Sequence, residues 1–111
     1  MDPIRDGSKR VTRLSEVISD SRVREIFLHC MKSVDSLHAD VTASVSDLEV
    51  RFFFRDEQIV RIVPYHSLLH VQVGGEPGWE VRVRESRGYL ETLDMIVHRF
   101  LRICAGRSAA A

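Results

Sequence analysis

The chain has 111 residues, of which 44% are hydrophobic and 29% charged, the balance of one globular domain and not of a disordered or fibrous chain. Lysine plus arginine and aspartate plus glutamate both number 16, so no net field draws the whole molecule onto nucleic acid or an anionic membrane, and any such contact has to be local. No apolar run approaches the ~20 residues of a membrane-spanning helix, which excludes a membrane partner of that kind.

The first ten residues are polar, contain Pro3 and Gly7, and read as a disordered arm. Leu14, Val17 and Ile18 then recur at helical spacing over a short stretch. From Val23 the apolar positions are Val23, Ile26, Phe27, Cys30, Met31, Val34 and Leu37, the rhythm of a helix that buries one face. Asp20 or Ser21 is the expected N-cap, since a short side-chain oxygen there accepts from an orphan amide of the first turn.

After Asp40 the period drops to two, with Val41, Ala43 and Val45, then Leu48, Val50, Phe52 and Phe54, pointing one way. That alternation predicts strands with one buried face. Ser46-Asp47 and Asp56-Glu57 supply polar turns between them. Gln58 to Val63 is a third run, ended by Pro64, which has no amide for a central ladder. Leu68 to Val73 is a fourth. Gly74-Gly75-Glu76-Pro77-Gly78 is a strong breaker, and Trp79, Val81 and Val83 alternate inward after it.

Ser86 is the expected N-cap of a last helix with the stripe Leu90, Leu93, Ile96, Val97, Phe100, Leu101 and Cys104, closed at Gly106. The boundaries are therefore a disordered arm over 1–10, one α+β domain over 11–105 and a disordered tail over 106–111. Four short connections require an antiparallel five-stranded meander, with an N-terminal and a C-terminal amphipathic helix packed on one face.

The outward strand positions combine Glu49, Arg51, Phe53, Arg61, His70, Gln72, Glu80, Arg82 and Arg84. Arg51, Phe53, Arg61, His70, Arg82 and Arg84 form a candidate binding face, because guanidinium forks and an aromatic ring suit phosphates and bases. The competing reading is a solvated face of cross-strand Arg and Glu pairs. Arginine outnumbers lysine, which stands only at Lys9 and Lys32, and coding bias explains that before phosphate chemistry does. Tyr65 and His66, in the loop after Pro64, form a candidate binding loop.

The five histidines include His66 and His70 at a spacing that defines no tetrahedral site across a turn and a strand, so no metal and no other cofactor is expected. Cys30 and Cys104 fall on apolar helical stripes and read as buried, reduced thiols, neither a disulfide framework nor nucleophiles. The glycine-rich segment lacks the lysine and hydroxyl of a phosphate-binding loop. The charged start MDPIRDGSKR does not read as a signal peptide, and the cytoplasm is the expected compartment.

Ile62-Val63-Pro64 after a strand, the strand Leu69 to Val73, and Gly78-Trp79-Glu80-Val81-Arg82-Val83 leading into an amphipathic helix resemble a small uncharacterised bacterial domain. That domain occurs alone or at the C-terminus of predicted transport proteins, or in association with endonucleases. The resemblance spans about Val23 to Leu101 and departs from the family at Tyr65 and His66, where the family places glutamine and lysine. It implies the helix, meander and helix order and no reaction.

The expected function is that of a non-enzymatic binding module, engaging a protein partner or a second copy as a homodimer. The alternatives are a nucleic-acid-associated accessory domain using the Arg/Phe face, and a small ligand-binding domain or enzyme with a pocket near Tyr65, His66 and Trp79.

Overall fold

Asp20 starts the best-defined helix. Its backbone is extended (φ −78°, ψ 119°) and its side chain accepts from the amides of Arg22 and Val23 at 2.9 and 3.2 Å, pairing two of the donors that the first turn leaves open. In the computed structural model, which describes residues 3–75 and 78–110, this helix is the second of three.

Helix α1 spans Pro3–Val17, α2 Ser21–Asp35 and α3 Ser86–Ala110. Between α2 and α3 run β1 (Thr42–Val45), β2 (Val50–Phe54), β3 (Glu57–Pro64), β4 (Leu69–Val73) and β5 (Trp79–Val83). All neighbours pair antiparallel in the order β1-β2-β3-β4-β5, the expected α+β meander.

One sheet face carries Val50, Phe52, Val60, Ile62, Leu69, Val71 and Val83, which register pairs across strands. These residues form a single core with Leu14, Ile18, Val23, Phe27, Val34, Ile96 and Ile103 of the helices and their junction. The helices therefore cover that face, and the apolar surface they jointly remove from water is the main stabilising term. Where β2 meets β3 the register shifts between Phe52 and Phe53. The extra residue of this bulge explains why consecutive Ile59 and Val60 are both fully buried.

Several sequence expectations are corrected. The irregular arm expected over residues 1–10 is helical from Pro3 onward. Val11, Leu14 and Ile18 pack on the core and propagate helix upstream, and proline suits a first turn because it has no amide to leave unpaired. At the other end α3 runs through Gly106 to Ala110 instead of capping there. An interior glycine costs about 1 kcal/mol without breaking a helix, and the flanking alanines favour it. Met1, Asp2 and Ala111 lie outside the described residues, as do Glu76 and Pro77 of the glycine-rich tip.

Ser86 is the first residue of α3 and not its cap; the Tyr89 amide bonds to the Glu85 carbonyl. The buried stripe of α3 is Tyr89, Thr92, Ile96, Phe100 and Ile103, rotated from the expected one, so that Leu90 and Leu101 are 63% and 54% exposed. An apolar arc wider than the face that meets the sheet leaves such a choice to packing. Leu48 is 75% exposed because the β1–β2 turn takes it out of the alternation. The β2–β3 turn is Arg55-Asp56, one residue earlier than expected, with φ of 53° and 65°, a two-residue hairpin of the type that matches strand twist.

Candidate binding surface

The uncovered face of the sheet presents a row that crosses all five strands: Ser44, Arg51, Arg61, Gln72 and Glu80. Alternation and register bring Arg51, Phe53, Arg61, His70 and Arg82 to this one face, as expected. His70 is directly opposite Arg82, and Phe53 is opposite Thr42 and Gln58. Arg84 lies beyond the end of β5 and outside the row.

The chemistry of the face is dominated by Glu49, which the β1–β2 turn holds beneath the two arginines. Its Oε2 accepts from Arg51 Nε at 2.6 Å and from Arg61 Nε at 2.8 Å. The hydrogen bond from Arg51 is the largest of the effects that hold the Glu49 carboxyl below its ordinary value; burial opposes it, and the hydrogen bond and charge of Arg61 add to the lowering. The same carboxylate raises the Arg51 pKa. Arg61 also reaches Gln72 Oε1 at 3.5 Å, and Gln72 donates to the Gly75 carbonyl at 3.3 Å. A polar chain thus runs from one hairpin turn to another. Sequence patterning placed Glu49 and Gln72 on this face without showing that they organise it.

The candidate loop sits at the opposite end of the β4–β5 hairpin from Trp79, since Pro64 pairs with Leu69 and Val73 with Trp79. Tyr65, His66 and Trp79 therefore do not converge on a common pocket. The Tyr65 side chain is half exposed, whereas the His66 carbonyl is occupied: it accepts from the Ser19 and Asp20 amides at 2.9 and 3.1 Å and from Ser19 Oγ at 3.2 Å. Arg24 closes the same α1–α2 junction, donating from NH2 to the Ile18 carbonyl at 2.6 Å and from Nε to the Ser15 carbonyl at 3.2 Å. The loop's backbone is part of the scaffold. The His66 contact carries no sequence signal, because it joins segments distant in the chain.

Trp79 instead lines a shallow cleft of about 420 Å³ with Met95, His98, Arg99 and Arg102. A second cleft, of about 400 Å³, shares Arg99 and Arg102 and is closed by Arg55, Asp56 and Glu57. Arg99 is tied to the Gln58 carbonyl at 3.2 Å, and Arg55 lies over the Phe54 ring at 4.8 Å. Arg99 therefore braces the start of β3 against α3.

Cys30 is buried, and burial pushes its thiol up to about 12, the opposite of what a nucleophile requires. Cys104 is half-buried, not fully buried as expected. Tyr89 meets His29 Nδ1 through its hydroxyl, and burial foremost raises its pKa. Among the described residues no three His, Cys, Asp or Glu side chains converge as a metal site, and no helix is long and apolar enough to cross a membrane.

The α3 helix contributes the other distinctive surface. On the solvent side of its buried stripe lie the exposed Leu90 and Leu101, with half-buried Leu93 and Val97 between them and half-buried Cys104 one turn beyond; Leu93 and Cys104 also pack against the core. Comparison of the chain with family models, curated proteins and solved structures returns no match in any of the three.

Proposed function

We propose that this domain is a protein-interaction module that binds an apolar helical segment of another chain along the solvent-facing flank of α3. One observation carries the reading: five apolar side chains, Leu90, Leu93, Val97, Leu101 and Cys104, follow one another along a single helix, and Leu90 and Leu101 stand largely in water. Scattered exposed leucines are ordinary, but a continuous apolar strip beside charged neighbours marks a contact surface. Leucine and valine at this spacing form the ridges that a second helix takes into its grooves.

The outer sheet face supports the same choice by what its charges already do. Arg51 and Arg61 are engaged by Glu49, so a phosphate would have to displace a carboxylate held close by both. Binding through the helix layer requires no such exchange.

A photo-crosslinking residue placed at Leu101, in the cells that make the protein, tests the reading against a control at the exposed turn residue Asp47. Protein adducts at position 101 and none at 47 are expected. Nucleic-acid adducts, or no adduct at 101, overturn it.

A further inference from the structure

The two edges of the sheet are unequal. At β1 the edge carbonyl of Val45 is engaged, accepting from Arg10 Nη1 of α1 at 2.9 Å. At β5 the outer edge is bare. The Gly74 amide bonds to the Ile59 carbonyl at 2.7 Å and the Tyr65 amide to the Leu68 carbonyl at 2.9 Å, which fixes the phase of the β3–β4 ladder: His70 and Gln72 turn their backbone groups to β3. Antiparallel residues alternate between their two neighbours, so Leu69, Val71 and Val73 turn theirs to Val83, Val81 and Trp79 of β5. The amides and carbonyls of Glu80 and Arg82 therefore point to the open edge, where no hydrogen bond from another described residue meets them. An unpaired row of this kind is a template for a further strand.

The side chains of the same two residues stand on the uncovered face with opposite charge. Glu80 approaches only His70, at 3.9 Å. Arg82 is directly opposite His70 and has no carboxylate partner among the described residues.

When a second β5 adds antiparallel with its covered face on the same side, residues of like face stand opposite one another. Reversal about Glu80 sets Glu80 against Glu80, and reversal about Arg82 sets Arg82 against Arg82. Reversal about Val81 sets each Glu80 against the Arg82 of the other copy, and the outward amides and carbonyls bond within those same two pairs. On the covered face the half-buried Val81 meets its counterpart, and Trp79, 40% exposed, comes level with Val83. The edge is thus its own complement in charge and in backbone, as an isologous contact requires.

We infer that β5 pairs antiparallel with β5 of a second copy about a two-fold axis at Val81, joining the two five-stranded sheets into one. The inference goes beyond the α3 surface and does not depend on it.

Sedimentation equilibrium of the full chain from about 1 μM to 1 mM brackets the weak, reversible association expected of so short an interface. A dimer is expected. Glu80→Arg and Arg82→Glu, both on the exposed face and checked for folding by circular dichroism, should each weaken it about tenfold, because one sets arginine against arginine and the other glutamate against glutamate. An equimolar mixture of the two variants should dimerise as tightly as the parent, since every mixed pair is again of opposite charge, a rescue in trans that damage to the fold would not give. Amide exchange followed by NMR reads the register: the Glu80 and Arg82 amides should be open in dilute protein and protected at high concentration, with Val81 protected in both. A monomer throughout, a dimer indifferent to both substitutions, a mixture without rescue, or edge amides whose exchange ignores concentration overturns the pairing. None of these outcomes bears on the α3 reading, which the adducts at position 101 decide.

Discussion

Arg51 and Arg61 stand directly opposite each other on β2 and β3, and the carboxylate of Glu49 holds both. Like charges in cross-strand register repel, and the β1–β2 turn supplies the counter-charge at the point where they meet. The outer face is thereby neutralised from within. Its remaining features, the Gln72 bridge to Gly75 and the approach of His70 to Glu80 at 3.9 Å, extend the same internal pairing.

Glu49→Gln should lower stability by about 1 kcal/mol, the scale of partly exposed ion pairs and cross-strand repulsion, and added salt should recover part of the loss. The acid limb follows from the lowered pKa. A carboxyl held below its ordinary 4.5 in the fold contributes stability that is present above that pH and is lost as the pH falls through the depressed value. Urea melts between pH 6 and pH 3 should show a shallower acid decline for the variant than for the parent. Superimposable declines would mean that the pair is not maintained in solution.

Labelled single- and double-stranded oligonucleotides should show no salt-sensitive micromolar binding by fluorescence anisotropy, because two of the arginines on the face are already paired. Steep weakening with salt, together with loss in Arg82→Ala, would return the face to nucleic acid.

Cys30 should be inert to a thiol reagent such as dithionitrobenzoate in the native state at pH 8 and should react fully on unfolding. Because its pKa rises from 9.0 to about 12 on folding, the stability held by its protonated form is intact below pH 9 and is lost as the pH climbs toward 12. A thermal-melt series from pH 8 to 10.5 on the parent and Cys30→Ala should show a steeper alkaline fall in the parent.

Two turn substitutions should move in opposite directions. Asp56 has a φ of 65°, a conformation that strains an L side chain, so Asp56→Gly should stabilise by about 0.5 kcal/mol after glycine's entropy is counted. Gly78→Ala places a Cβ 2.5 Å from the Gly75 carbonyl oxygen and 2.9 Å from that of Val73. Since the obstruction is backbone, the variant should lose about 1–3 kcal/mol. Gly75→Ala, which meets nothing within 4 Å, serves as the control in the same denaturant titration.

Sequence by itself determined the order of elements that carry a single clear period. The α2 stripe from Val23 to Val34 is buried residue by residue behind its Asp20 cap, and the alternation around Val50, Phe52, Val71 and Val83 chose the covered face. Local chemistry suffices there because a helix turn or a strand pleat already decides which way a side chain points. Only tertiary structure decided which side of α3 faces the sheet, since its apolar arc admits more than one rotation and the fit of Tyr89, Ile96 and Phe100 against the core selects one. It alone joined Glu49 to Arg61 and the His66 carbonyl to Ser19, and it alone separated Trp79 from Tyr65. Each of these depends on segments brought together from far along the chain, and no local period encodes such a meeting. The strip at Leu90 and Leu101 stands in water for the same reason: the core accepted the other face of its helix.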